Sequence, residues 1–191
     1  MESKNRKIVV AVTGASGSVY ALKLLEKLQK IRTPVGEIAV IFSDTAKHIW
    51  IHEIGKEFVV KPPAKEYKNN SYFAPFASGS SDYDTMIICP ASMGTLGRIA
   101  HGTSDDLICR AADVMMKERR RLILVPRETP YNIIHIKNME RLTLAGAIIC
   151  PATPSFYSNP KTINDLVMTV VERIISLAGF ETETYHWMEN D

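Results

Sequence analysis

The sequence predicts an α/β protein in three layers, with helices on both faces of a mainly parallel sheet. Three observations predict it. Five short apolar runs recur, at 8–12, 38–42, 86–89, 122–125 and 147–150. None of them alternates apolar with polar residues, and continuous apolar runs suit strands covered on both faces. Helical patterns separate most of the runs, and strand alternating with helix argues for a parallel sheet between helical layers.

The first run ends at Thr13-Gly14-Ala15-Ser16-Gly17, after which Leu22, Leu25 and Leu28 recur at helical spacing. The second run leads into Ser43-Asp44 and a further helix carrying His48, His52 and Glu53. Residues 57–84 break the pattern. Lys61-Pro62-Pro63, Asn69-Asn70 and Ser78-Gly79-Ser80-Ser81-Asp82 are turn and breaker residues. The stretch reads as a long, mostly irregular connection, and connections of that length are often functional. The third run is followed by Pro90-Ala91-Ser92-Met93-Gly94-Thr95, the fourth by Pro126-Arg127-Glu128-Thr129-Pro130, and the fifth by residues 151–157. Ile163, Leu166, Val167, Val170, Val171, Ile174 and Ile175 then form the apolar stripe of a last helix. No linker divides the chain and no repeat is visible. One domain over residues 1–191 is expected, with 181–191 as a C-terminal tail that packs elsewhere or frays.

With 191 residues the chain is long enough for a sizeable core, and 46% hydrophobic and 23% charged residues are ordinary for a globular protein. A net charge of +2 supplies no broad basic field, which argues against nucleic acid as a partner. No apolar run reaches the roughly 18–20 residues of a membrane span. The polar residues 1–7 lack the apolar region of a signal peptide, so a cytoplasmic location is expected. Cys89, Cys109 and Cys150 fit no zinc spacing and lie in or beside apolar runs, as small buried residues do. His48 and His52 are four apart without an H-E-x-x-H pattern, and no metal is expected.

In open parallel sheets, ligands sit beyond the carboxyl ends of the strands. Gly14 to Gly17 has the glycines and the following helix start that suit an anion. It lacks the G-x-G-x-x-G spacing, so a mononucleotide fits better than a dinucleotide. A tight turn with Ser16 as helix cap remains the plain alternative. Ser92 to Thr95 invites the same two readings. Arg127 and Glu128 follow a strand, where an Arg fork matches phosphate oxygens and a Glu can move a proton; a surface ion pair is the alternative. Arg110 and Lys117, two helical turns and about 10 Å apart, share a face with Asp113 between them, which reads most simply as solvated charge pairing. Arg173 edges the last apolar stripe, and Tyr157 is a loop aromatic.

Taken together, VTGASGSVYALKLL, FAPFASGS, ICPASMGTLGRIAHG, LICRAADVMMKERRRLILVPRETP and HIKNM through AGAIICPATPSFYSNP to INDLV resemble the UbiX-type flavin prenyltransferases in order and spacing. Members often carry the name of an aromatic or phenolic acid decarboxylase component, although the resemblance implies cofactor synthesis rather than decarboxylation. It implies a Rossmann-like flavoprotein with FMN at the interfaces of a homododecamer. It also implies transfer of a dimethylallyl group from dimethylallyl monophosphate to N5 and C6 of reduced FMN, without metal. The prenylated FMN would serve a UbiD-type decarboxylase.

Carried over by motif, the FMN contacts are Gly14, Ala15, Ser16, Ser43, Ser92, Met93, Gly94, Thr95 and Arg127. The prenyl phosphate contacts are Lys117, Arg127, Tyr157 and Arg173. Ser16, Glu53, Arg110, Lys117 and Glu128 are the implied catalytic positions. Asp44 stands where some relatives have Lys, and Tyr20 is followed by Ala21 rather than Gly. A related flavin-dependent cysteine decarboxylase is the nearest rival, but its P-x-M-N-x-x-M-W segment is missing. A non-catalytic flavin-binding partner of a decarboxylase is the other, and it would have no need of Lys117, Arg127, Glu128 and Arg173.

Overall fold

The computed structural model describes residues 6–31 and 35–182. Six strands form one sheet: β1 (Arg6–Val12), β2 (Val35–Phe42), β3 (Ala64–Lys68), β4 (Tyr83–Ala91), β5 (Arg121–Pro126) and β6 (Ile148–Ile149). Their order is β3-β2-β1-β4-β5-β6, and every neighbouring pair is parallel. The helices are α1 (Ser18–Leu28), α2 (Asp44–Ile54), α3 (Met93–Ala100), α4 (Leu107–Lys117), α5 (Ile133–Leu144) and α6 (Ile163–Leu177).

Side-chain alternation along the strands makes two cores. Ile8, Val10 and Val12 face α1, α2 and α6, while Val9 and Ala11 face α3, α4 and α5. Both faces are therefore dry, and this is why the central strands read as unbroken apolar runs. The expected stripe on the last helix is α6, whose Val167, Val170, Val171, Ile174 and Ile175 are buried and Leu166 half-buried, while Ile163, in its first turn, is exposed.

Residues 57–84 are mostly irregular, as expected, but they also contain a strand the sequence did not announce, the edge strand β3, and a short 3-10 turn at Pro75–Ala77. In β3 only Ala64 is buried, while Lys65, Glu66 and Lys68 are exposed. A charged edge strand carries no apolar run, and such charges blunt edge-to-edge pairing. The connection after β3 is tied to α4 along its length. Asn69 accepts from the Leu107 amide at 2.8 Å and the Ile108 amide at 3.1 Å. Arg110 donates to the Ala77 carbonyl at 3.0 Å, and Arg120 donates to the carbonyls of Gly79 at 2.6 Å and Tyr83 at 3.0 Å.

Residues 183–191 of the expected tail lie outside the described residues. At the amino edge of the sheet Arg6 holds Asp84 at 2.8 Å and donates to the Ala178 carbonyl at 2.8 Å. Among the described residues no helix is long and apolar enough to cross a membrane.

Candidate active site

The order of strands reverses between β1 and β4, so the loops leaving their carboxyl ends diverge and open a crevice. Thr13 ties those two loops together. It is 1% exposed. Its hydroxyl donates to the Pro90 carbonyl at 2.9 Å and accepts from the Ser92 amide at 2.7 Å. Beyond it, Ser92 caps α3 by accepting from the Thr95 amide at 3.3 Å. Ser43 caps α2 in the same way, from the Ala46 amide at 3.2 Å. The capping reading of Ser92 is thus correct, and capping leaves the Met93 and Gly94 amides at the helix start. Gly94 is exposed, with no atom within 4 Å of where a Cβ would stand.

The turn after β1 behaves differently. Ser16 does not cap α1; Gly17 does, in a left-handed conformation at φ 113° and with no side-chain cap bond. A carboxylate from another helix takes the cap's role. Glu53 accepts from the Gly17 amide at 3.0 Å and the Ser18 amide at 2.7 Å. Partial burial pushes this carboxyl up, but bonds from the Ser16 and Ser18 side chains and the two amides outweigh it and hold its pKa below the usual Glu range. Glu53 is therefore an anion at neutral pH. Gly14 is small for a packing reason, since a Cβ there would stand 2.8 Å from the Thr45 methyl.

Arg127 leaves β5 beside this turn. Its stem lies 3.9 Å from where a Gly17 Cβ would be, and the Tyr20 ring lies 3.0 Å from the same point. Glu128 turns back on its own chain and accepts from the Thr129 amide at 3.0 Å. Among the described residues no Arg127–Glu128 salt bridge forms. Tyr157 is exposed on the loop after β6, and the Ser155 amide of that loop donates to Thr169 on α6 at 3.1 Å. Arg173, one turn further along α6, is close enough to Cys150 for its charge to oppose the burial that pushes that thiol's pKa up.

Lys117 does not join this group. It ends α4 at the amino edge of the sheet, four residues before β5 starts. The six residues of β5, about 20 Å at strand rise, separate that edge from Arg127. Arg110 pairs with Asp113 at 2.9 Å, as the i, i+3 spacing anticipates. Lys117 pairs with Glu118 at 2.5 Å, and the pair lies against Gly79. The loops and helix starts at the carboxyl edge thus carry Gly14 to Ser16, Ser43, Ser92 to Thr95, Arg127, Glu128 and Tyr157, with Glu53 bonded to the Gly17 and Ser18 amides and Arg173 near Cys150. Lys117 lies at the opposite edge.

Sequence reasoning missed Thr13 and Tyr20 as shapers of this edge. It also gave no sign that Asp105, Asp106 and Cys109 converge within 4.8 Å. Arg98 bonds to both aspartates at 2.7 Å, and Asp106 caps α4, so the cluster is an ion-paired joint between α3 and α4.

Comparison with known proteins identifies relatives along nearly the whole chain. The Flavoprotein family model matches residues 1–175. The flavin prenyltransferase UbiX of Methanocaldococcus jannaschii is 41% identical over 181 residues, covering 94% of this chain and 96% of that protein. A crystal structure of AnUbiX (PadA1), in complex with FMN and dimethylallyl pyrophosphate, has a TM-score of 0.88 and 39% identity, covering 98% of this chain and 100% of that one. A dodecameric FMN-dependent UbiX-like decarboxylase from Escherichia coli O157:H7 has a TM-score of 0.85 and 34% identity, covering 95% and 99%. On the family match and the chain-long identity together, this chain belongs to the Flavoprotein family and, within it, to the UbiX-type flavin prenyltransferases.

Proposed function

We propose that this chain transfers the dimethylallyl group of dimethylallyl monophosphate to N5 and C6 of reduced FMN and releases phosphate. The observation that carries the reading is the match along nearly the whole chain to flavin prenyltransferases. Reduced FMN supplies the electron-rich N5 and C6 that take up the allylic carbons.

The start of α3, at Ser92 to Thr95, suits the flavin phosphate, because Gly94 is exposed there with open space beside its Cα and the helix dipole favours an anion. The α1 amides suit it less, since Glu53 already bonds to them. Gly14, Ala15, Ser16 and Ser43 complete the flavin contacts along the crevice. Arg127, Tyr157 and Arg173 bind the prenyl phosphate, and the two guanidinium groups stabilise the negative charge that grows as the carbon–oxygen bond breaks. Ser16, held by the ionised Glu53, and Glu128 take the N5 proton and return one to the prenyl double bond, so that the cation formed closes on C6 and the C6 proton leaves with the released phosphate.

Lys117 and Arg110 serve this chemistry from a neighbouring copy, because their own chain places Lys117 about 20 Å from Arg127. The assembly is a homododecamer in the cytoplasm, each chain acts as one domain, and prenylated FMN passes to a UbiD-type decarboxylase. The test is anaerobic incubation of the protein with reduced FMN and dimethylallyl monophosphate, followed by mass spectrometry of the flavin. A prenyl increment supports the reading. Bound flavin of unchanged mass rejects it.

A further inference from the structure

We infer that Thr13 is a positioning residue for the flavin site, acting through the start of α3. This rests on the flavin reading above and adds a residue that the motif carry-over does not include. The regular β1–β4 ladder ends at Ala11 and Ile88. Two residues later β4 carries Pro90, which has no amide proton to donate. At that point the Thr13 side chain adds to the main-chain pairing. Its amide and its hydroxyl both donate to the Pro90 carbonyl, at 3.1 Å and 2.9 Å. The hydroxyl oxygen then accepts from the Ser92 amide at 2.7 Å.

That last bond fixes the backbone of the residue that caps α3, one position before the Met93 and Gly94 amides. Thr13 is 1% exposed, so no water can substitute for it. Only a residue with both a donor and an acceptor on one atom can bridge a carbonyl and an amide in this way. Valine has the same shape and neither function.

The test is a titration of FMN against wild type and the variants Thr13→Val and Thr13→Ser, with thermal unfolding of each. Thr85→Val is the control: Thr85 is equally buried and doubly bonded, to Arg6 and Asp84 at 2.7 Å each, but lies at the far edge of the sheet. Thr13→Val should weaken FMN binding roughly tenfold, the size expected for an orphaned buried amide. Thr13→Ser should stay within about twofold of wild type. Thr85→Val should lower the melting temperature and leave FMN affinity unchanged. Wild-type affinity in Thr13→Val overturns the inference alone, as does a loss in Thr85→Val that tracks melting temperature equally well. If Thr13→Val does not fold, a Thr13→Ser variant as weak as a Thr13→Ala variant overturns it. Failure of wild type itself to bind FMN overturns the flavin reading and this inference with it.

Discussion

At the carboxyl edge of the sheet the groups that fix the backbone are hydroxyls and a carboxylate that accept from amides, whereas at the amino edge they are long cations that donate to carbonyls. Thr13, Ser43, Glu53 and Ser92 each accept from an amide of a loop or helix start. Arg6 and Arg120 each donate to carbonyls that close the chain on itself. The first pattern leaves helix starts ordered and facing an open crevice. The second consumes positive charge in fixing loops. A count of cations therefore misleads about this molecule. The run Lys117 to Arg121 is dense in charge, yet Arg120 is structural and Lys117 is displaced from the crevice by the length of a strand.

The sharpest way to break the comparison is at its two cationic ends. Arg127→Ala should lower kcat/KM for prenyl transfer by about 100- to 1000-fold, the usual loss for a group that stabilises transition-state charge. Lys117→Ala should cost a similar order if a neighbouring copy inserts it. Oligomers assembled from a mixture of the two variants should then regain turnover that neither has alone, since some sites combine an intact Arg127 with an intact Lys117. Absence of recovery in verified mixed oligomers would place both residues in the same chain's site.

Arg120→Ala tests the structural assignment of the amino edge. Loss of charged hydrogen bonds to Gly79 and Tyr83 should lower stability by about 2 kcal/mol in urea denaturation. Activity should fall less than in Lys117→Ala, through loosening of the turn on which Lys117 rests. Among the effects on stability the smallest expected is that of Glu53→Gln. Because the fold holds the Glu53 pKa below its ordinary value, its contribution is present above the ordinary Glu range and disappears as pH drops through the lowered value. The variant should flatten that acid-side part of the curve of melting temperature against pH and leave the neutral region nearly level.

Much of the fold was legible in the sequence for one reason: strands dry on both faces become continuous apolar runs. β1, β2, β4 and β5 announce themselves in that way. β3 does not, because the sheet edge it forms carries Lys65, Glu66 and Lys68. The site was half legible. Ser92 is visible as a cap because a cap is a local feature. Thr13 is not, because its partners Pro90 and Ser92 lie 77 and 79 positions away. Glu53 reaches back 36 positions to Gly17, and only family resemblance singled it out. Lys117 and Arg127 mislead in the opposite sense. They are close in sequence, but the strand between them carries one to each edge.

Placing Lys117 and Arg127 at opposite edges also limits how copies can be arranged. On the proposed reading each copy lends a lysine to one site and receives one at another. In an open row of copies the terminal chain has no donor, and one site per row stays incomplete. A closed symmetric ring, or a reciprocal two-fold pair, has no terminus, so the number of complete sites equals the number of chains. Active-site titration of the assembled protein should therefore approach one site per chain, and a preparation that gives less contains rows that have not closed.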